Sequence, residues 1–311
     1  MLSVKTISIR LLVVSVIFAI WMPLSALAAG PKNVIFYIGD GMASAQRRIA
    51  EEVHGYKLTM NQFPVIGLYT TFSSDSIIPD SAAAGTAMAT GHKSASYVIS
   101  MDVEKKIAFE TLAEAAKKLG KSVGILTTTR LTHATPATFS AHIENRNSEN
   151  KIAEQYLEKK FDVWMGGVRR HFIPKSADNR QEPDKSLKSK RKDERDLLKE
   201  FAGKGYAVLR TKNELMALDI KSDTRVFAAF TESHLPYKLD MPAKVPNLAE
   251  MTAVAIKILK QNPKGFFLMV EGGKIDHAAH ANAPVAMVCD TMDLDNAVKA
   301  GVDFRQEDSD T

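Results

Sequence analysis

The chain is 311 residues long, with 41 basic and 36 acidic residues, a formal net charge of +5 and 45% apolar residues. So mild a positive balance excludes a dominant nucleic-acid surface, and one cysteine, Cys289, excludes an internal disulfide. The length suits one large α/β domain with a sizeable core.

Residues 1–28 read as a signal peptide. Lys5 and Arg10 open it, Leu11 to Leu24 is its apolar stretch, and Ala26-Leu27-Ala28 makes an A-x-A cleavage word. The apolar stretch falls short of the roughly 20 residues that a membrane span needs. Export to a bacterial periplasm or medium is expected, with no membrane attachment after cleavage and with residues 29–311 as the mature domain.

Along that domain, strand and helix patterns alternate. Val34 to Gly41 (VIFYIGDG) is an apolar strand running into a Gly-Asp-Gly turn, and Asp80 to Ala87 (DSAAAGTA) opens an alanine-rich helix. Phe109 to Leu119 has apolar residues at 109, 112, 113, 116 and 119, a helical spacing closed by Gly120. Val123 to Leu126 reads as a buried strand, Ile152 to Leu157 as helix, and Asp162 to Met165 as a short strand before Gly166-Gly167. Pro174 to Lys192 is polar and proline-containing, a surface excursion. The basic residues of Lys185 to Lys199 are broken by Asp193, Glu194 and Asp196 and lack aromatics, which suits a solvated face rather than a nucleic-acid patch. Asp196 to Phe201 is predicted helical, and Tyr206 to Leu209 and Arg225 to Phe230 are predicted strands. Asn247 caps a helix from Leu248 to Leu259, and Gly265 to Val270 is a strand that delivers Glu271. Cys289 lies in an apolar stretch and reads as a small core residue. After a last helix, Leu294 to Ala300, the chain runs through polar residues to Thr311. The alternation implies a three-layer α/β/α sandwich with a mostly parallel central sheet, whose chemistry gathers at the carboxyl ends of the strands.

Four words carry candidate chemistry, and each has an ordinary explanation beside it. Asp40 in Gly-Asp-Gly suits a turn, yet it ends a buried strand where a metal carboxylate could sit. Asp80-Ser81 makes a normal helix start, yet a serine there aims its hydroxyl and the helix amides at any anion. No G-x-S-x-G elbow accompanies Ser81, so a metal is its natural activator. Thr135 and His133, in Thr127 to Ala137, could be plain loop residues, and Arg146 a surface charge; a guanidinium is also the best planar partner for phosphate oxygens. Glu271 to His280 (EGGKIDHAAH) is the strongest word. Asp276 and His280 are four apart, so on a helix they share a face and can hold one ion. Glu271 ends an apolar strand where an unpaired carboxylate is costly.

In order, spacing and wording these segments (VIFYIGDGM, PDSAAAGTAMATG, HATPA and VEGGKIDHAAHAN) resemble the alkaline phosphatase family from Asn33 to about Val298. The resemblance implies a homodimeric phosphomonoesterase acting at alkaline pH, with two zinc ions, one magnesium ion and a phosphoserine at Ser81. It implies that Asp40 bridges the second zinc and the magnesium, Thr135 and Glu271 complete the magnesium shell, and Asp276 and His280 hold the first zinc. Ser81 would also face the second zinc, and Arg146 would clamp the phosphate. Around them, His133 and His277 would tune the magnesium shell and the phosphate, and Asp80 would support Ser81 or orient Arg146.

The family pattern continues with a strand ending in a Thr-Ala-Asp-His word and a late histidine, and this chain carries neither. Its last strands are therefore expected to be missing, the domain incomplete at the C-terminus, and the activity impaired. The competing readings are a non-catalytic phosphate- or metal-binding remnant of the same fold, and a phosphodiesterase or sulfatase. The sulfatase is disfavoured because Ser81 is followed by Ala-Ala-Ala rather than the x-P-x-R that sulfatases require.

Overall fold

The computed structural model describes residues 30–177, 188–308 and 311. The signal-peptide reading of residues 1–28 lies outside the described residues, as does the middle of the polar stretch 174–192. Six strands form one sheet: β1 (Val34–Gly39), β2 (Ser122–Arg130), β3 (Val163–Gly167), β4 (Ala207–Leu209), β5 (Val226–Ala229) and β6 (Phe266–Gly272), in the order β1-β6-β2-β3-β5-β4. Every pairing between them is parallel. Parallel neighbours need crossover connections, and here helices supply them on both faces.

The period-2 alternation of each strand assigns its side chains to one face or the other. From β6, Phe267 and Met269 join a core with Ala82, Tyr156, Trp164 and Phe201. Phe266, Leu268 and Val270 join the opposite core with Met251, Leu259 and Leu294. The first layer comprises α2 (Ser81–Thr90), α3 (Leu112–Lys118), α5 (Glu149–Lys159) and α6 (Leu197–Gly203). The second holds α1 (Ser44–His54), α8 (Leu248–Leu259), α9 (Lys274–His280) and α10 (Pro284–Glu307). The architecture is the expected three-layer α/β/α sandwich, with residues 33–311 forming one unit.

The helix starts follow local chemistry. Thr111 and Glu114 make a reciprocal capping box, so α3 begins at Leu112 rather than at the expected Phe109. Asn247 and Glu250 do the same for α8, at the expected boundary. Sequence periodicity passed over α1, the short α4 (Ala134–Thr138) and α7 (Lys212–Met216). The last helix, α10, runs the full length from Pro284 to Glu307, well past the expected segment 294–300. Its C-terminal extension is held by Phe304 against Phe266, with ring centroids 5.7 Å apart, and its middle by the Tyr37 hydroxyl donating to the Ala297 carbonyl at 2.9 Å. Buried carboxylates of α10 also accept backbone N–H groups from elsewhere: Asp295 from Thr59 and Met60 at 2.9 and 2.8 Å, and Asp293 from Leu248 at 3.1 Å.

Two expectations need correction. Cys289 is half-buried rather than part of the core, because it sits on the outward side of α10. Arg191, read as part of a solvated basic face, is buried, its guanidinium held by Asp193 at 2.6 Å and Glu154 at 2.9 Å.

Candidate active site

The carboxyl ends of β1, β2 and β6 meet at a cleft of about 1040 Å³ lined by Asp40, Ser81, Thr135, Arg146, Asp276 and His280, among others. Asp40 follows β1 directly. Gly41 turns the chain there at φ +61°, and it approaches α9 so closely that a Cβ would lie 2.6 Å from Asp276 Oδ1. Glycine is required at that point for both reasons.

Ser81 is the first residue of α2, with Asp80 as its N-cap: an Asp80 oxygen accepts the Ala83 N–H at 3.0 Å. The Ser81 hydroxyl donates to Asp40 Oδ2 at 3.1 Å. Arg146 Nη1 donates to Asp80 Oδ2 at 3.0 Å, and Arg146 Nη2 meets His133 Nε2 at 3.0 Å. Asp80 thus serves the helix start and the arginine together. Far from being a free surface charge, Arg146 is a held group.

Glu271 is fully buried at the end of β6. Its register partner on β2 is Thr127, whose hydroxyl donates to Glu271 Oε2 at 2.5 Å, with Thr129 at 3.3 Å. Donor atoms of Asp40, His133 and Glu271 lie within 4.8 Å of one another. Beside them His133 Nδ1, Thr135 Oγ1 and Glu271 Oε1 are buried with no hydrogen-bond partner of good geometry. Orphaned buried polar atoms are costly, so this cluster fits a cation that would satisfy them. The donor set differs from the expected oxygen-only site, because His133 brings a nitrogen into it; such a mixed set suits zinc as well as magnesium.

The charges fit the same reading. Burial and the neighbouring Asp276 push Asp40 up to about 6, and burial and Asp40 raise Glu271. Burial, with the Arg146 and Arg130 charges, holds His133 well below the ordinary imidazole range, so its ring is neutral. A cation bound between these two carboxylates would favour their ionised forms.

Asp276 and His280 share one face of α9, as their spacing predicts, with His280 Nε2 3.4 Å from Asp276 Oδ1. Among the described residues they are a pair without a third His, Cys, Asp or Glu donor at similar range. His277 stands edge-on to His133, ring centroids 5.6 Å apart.

The sequence words missed the layer behind the site. His234, from the segment after β5, stands 4.5 Å from His277 and 5.4 Å from His133 between ring centroids, and contacts Arg130 through a ring nitrogen. Arg130 is gripped by Glu149 through two bonds of 2.7 and 2.8 Å, and Thr132 and His171 also reach that carboxylate. Thr127-Thr128-Thr129, a hydroxyl run at the end of an apolar strand, was the available signal for this layer. His234 had none.

A family profile described as alkaline phosphatase matches residues 31–311. Alkaline phosphatase 4 of Bacillus subtilis is 37% identical over 295 residues, covering 90% of this chain and 59% of that protein. The structure of Thermus thermophilus alkaline phosphatase superposes with a TM-score of 0.81 at 34% identity, covering 91% of this chain and 58% of that one. A variant of the alkaline phosphatase of the Antarctic bacterium TAB5, solved with magnesium in its M3 site, superposes at 0.78 with 28% identity, covering 91% of this chain and 76% of that one. The chain therefore spans about three fifths of the length of the curated relatives it matches.

Proposed function

The chain belongs to the alkaline phosphatase family, and from that premise we propose that it hydrolyses phosphate monoesters at alkaline pH through a phosphoserine at Ser81. The observation that carries this reading is the Ser81 hydroxyl, seated at the N-terminus of α2 and 3.1 Å from Asp40, beside the orphaned donors of His133 and Glu271.

In this mechanism Ser81 Oγ attacks phosphorus as the ester oxygen departs with its electron pair and takes up a proton. Water then attacks the phosphoserine, returns the serine hydroxyl and releases inorganic phosphate. Asp40 fixes the direction of Oγ, and the helix N-terminus favours the incoming negative charge. Arg146, preset by Asp80, offers parallel N–H groups to two phosphate oxygens. Asp40, Thr135, Glu271 and His133 would hold one cation, a mixed oxygen and nitrogen set that suits magnesium or zinc. Asp276 and His280 would hold a zinc ion, and Asp40 with Ser81 a second. When bound, such ions lower the pKa of coordinated hydroxyls and neutralise charge on the transferred phosphoryl group.

The proposal includes a homodimer. Val65, Ile66, Leu68, Tyr69, Ile77 and Ile78 are all more than three quarters exposed, a concentration of apolar surface that suits burial against a second copy. It also includes export, on the strength of the positive, apolar and A-x-A sequence of residues 1–28. Among the described residues no helix is long and apolar enough to cross a membrane.

A second reading rests on Asp276 and His280, two donors where catalytic zinc ordinarily has three protein ligands. It makes the chain a metal- and phosphate-binding remnant without turnover. Hydrolysis of p-nitrophenyl phosphate in alkaline buffer with excess zinc and magnesium separates the two, with Ser81→Ala as blank. Turnover above that blank supports the enzyme. Zinc uptake with no turnover supports the remnant.

A further inference from the structure

His133 is held at a point of competition. Arginine carries N–H donors and no acceptor, so the Arg146 Nη2 contact with His133 Nε2 at 3.0 Å requires the ring to accept there. A neutral imidazole has one in-plane lone pair to give. Arg146 uses it. Yet a ring nitrogen of His133 also lies within 4.8 Å of the donors of Asp40 and Glu271, and a cation held by that trio needs the same lone pair.

We propose that His133 couples the cation cluster to the phosphate clamp, its single lone pair serving either Arg146 or the cation. The inference rests on the reading of Asp40, His133 and Glu271 as a metal centre. Both possible ligating atoms lead to the same result. If Nε2 turns to the cation, Arg146 loses its acceptor directly. If Nδ1 does so, the ring proton must leave Nδ1 and one must be taken up at Nε2, and the new Nε2–H then faces the N–H of Arg146, donor against donor. The exchange is neutral in protons, and in either case Arg146 is freed from the imidazole while Asp80 still anchors its other arm at 3.0 Å. The released N–H lies on the cleft that Arg146 lines. Metal occupancy and anion binding are thereby linked through chain residues, and the linkage is reciprocal.

The test uses the full chain and inorganic phosphate. NMR spectra of arginine side-chain nitrogens, assigned with Arg146→Lys, are recorded in chelator and then with zinc. The expected result is slow guanidinium rotation at Arg146 without metal, faster rotation with zinc, and slow rotation again when phosphate is added. Arg146 signals that do not respond to zinc, where calorimetry shows a zinc ion that Glu271→Gln removes, overturn the proposal. In chelator, His133→Leu should bind phosphate about threefold to tenfold more tightly than wild type, the worth of one hydrogen bond released. Equal affinities there overturn the lock between Arg146 and His133 without reference to metal. A wild-type chain that takes up no zinc removes the metal centre of the proposed function, and the coupling with it.

Discussion

Thr127 and Glu271 are opposite one another on adjacent parallel strands, and the threonine hydroxyl donates to the buried carboxylate at 2.5 Å. The threonine hydroxyls around it do not offset full burial and the nearby Asp40 charge, which together push Glu271 from its ordinary 4.5 up to about 8. Without metal, the folded chain keeps a proton on Glu271 that the unfolded chain gives up. Stability from this group is complete below about pH 4.5 and is lost as pH rises through 8. Thermal scans in chelator should therefore give a lower Tm at pH 8 than at pH 5. Glu271→Gln, neutral throughout, should remove much of that fall, on the order of several °C. An identical fall in both proteins would show that the carboxyl is not the source. Added zinc or magnesium should raise the wild-type Tm at pH 8 by more than that of Glu271→Gln, whose remaining shift reports ions held away from Glu271.

The pair of Arg130 and Glu149 predicts a stability effect away from the reacting groups. Both side chains are only 14% exposed, and they make two short bonds to each other. Truncating Glu149 to Ala strands a guanidinium beside His171 and His234, a change expected to cost about 3–5 kcal/mol. Glu149→Gln keeps one acceptor oxygen and should cost clearly less. Denaturant midpoints at neutral pH measure both. A Glu149→Ala midpoint within error of wild type would place this pair among exposed, energetically silent ion pairs.

How far the sequence disclosed this arrangement depends on the range of each interaction. Asn247 capping α8, the apolar run of β6 and the face shared by Asp276 and His280 depend on residues a few positions apart, so pattern reading finds them. The close approach of Ser81, Asp40, His133 and Glu271 was legible only because their local words are distinctive and occur in a known order. His234 is the counter-example. It reaches the site from the far side of β5 and is flanked by Ser233 and Leu235, so nothing local marks it, and only the sheet order places it against His133 and His277. The extent of α10 was hidden for a related reason: its buried Asp290, Asp293 and Asp295 break the apolar period, and their partners lie in distant segments.

The exposed run 65–78 predicts self-association. Leu68 is 99% exposed and Ile66 85%, on a stretch whose Tyr69 lines the cleft, and exposed apolar side chains in such number favour association in water. Sedimentation of the wild-type chain should reveal dimers or larger species. Combined Ile66→Glu and Leu68→Glu should shift the population to monomer with an unchanged far-UV spectrum, because neither side chain supports the core. A wild-type chain that sediments as a monomer at all workable concentrations would eliminate the homodimer.

Gly41 offers a sharper test of the zinc position proposed at Asp276 and His280. Its φ of +61° is costly for any residue with a Cβ, and an added methyl would stand 2.6 Å from Asp276 Oδ1 and 3.1 Å from the Asp276 Cα. The backbone contact prevents relief by a simple side-chain rotation, so α9 must shift or the turn must open. Gly41→Ala is thus expected to cost on the order of 1–3 kcal/mol in stability from backbone strain. It should also displace Asp276 from its place opposite His280, weakening zinc at that pair by tenfold or more on the general scale of misplaced ligands. His280→Ala is the control, since it removes the same ligand pair while His280, largely exposed, supports little of the fold. Zinc calorimetry of wild type, Gly41→Ala, His280→Ala and the double variant reads the outcome. If Gly41 acts through Asp276, the double variant should bind zinc no more weakly than the weaker single one. Additive losses would mean that Gly41→Ala disturbs a second site, and full-strength binding in Gly41→Ala would separate the turn from the metal position altogether.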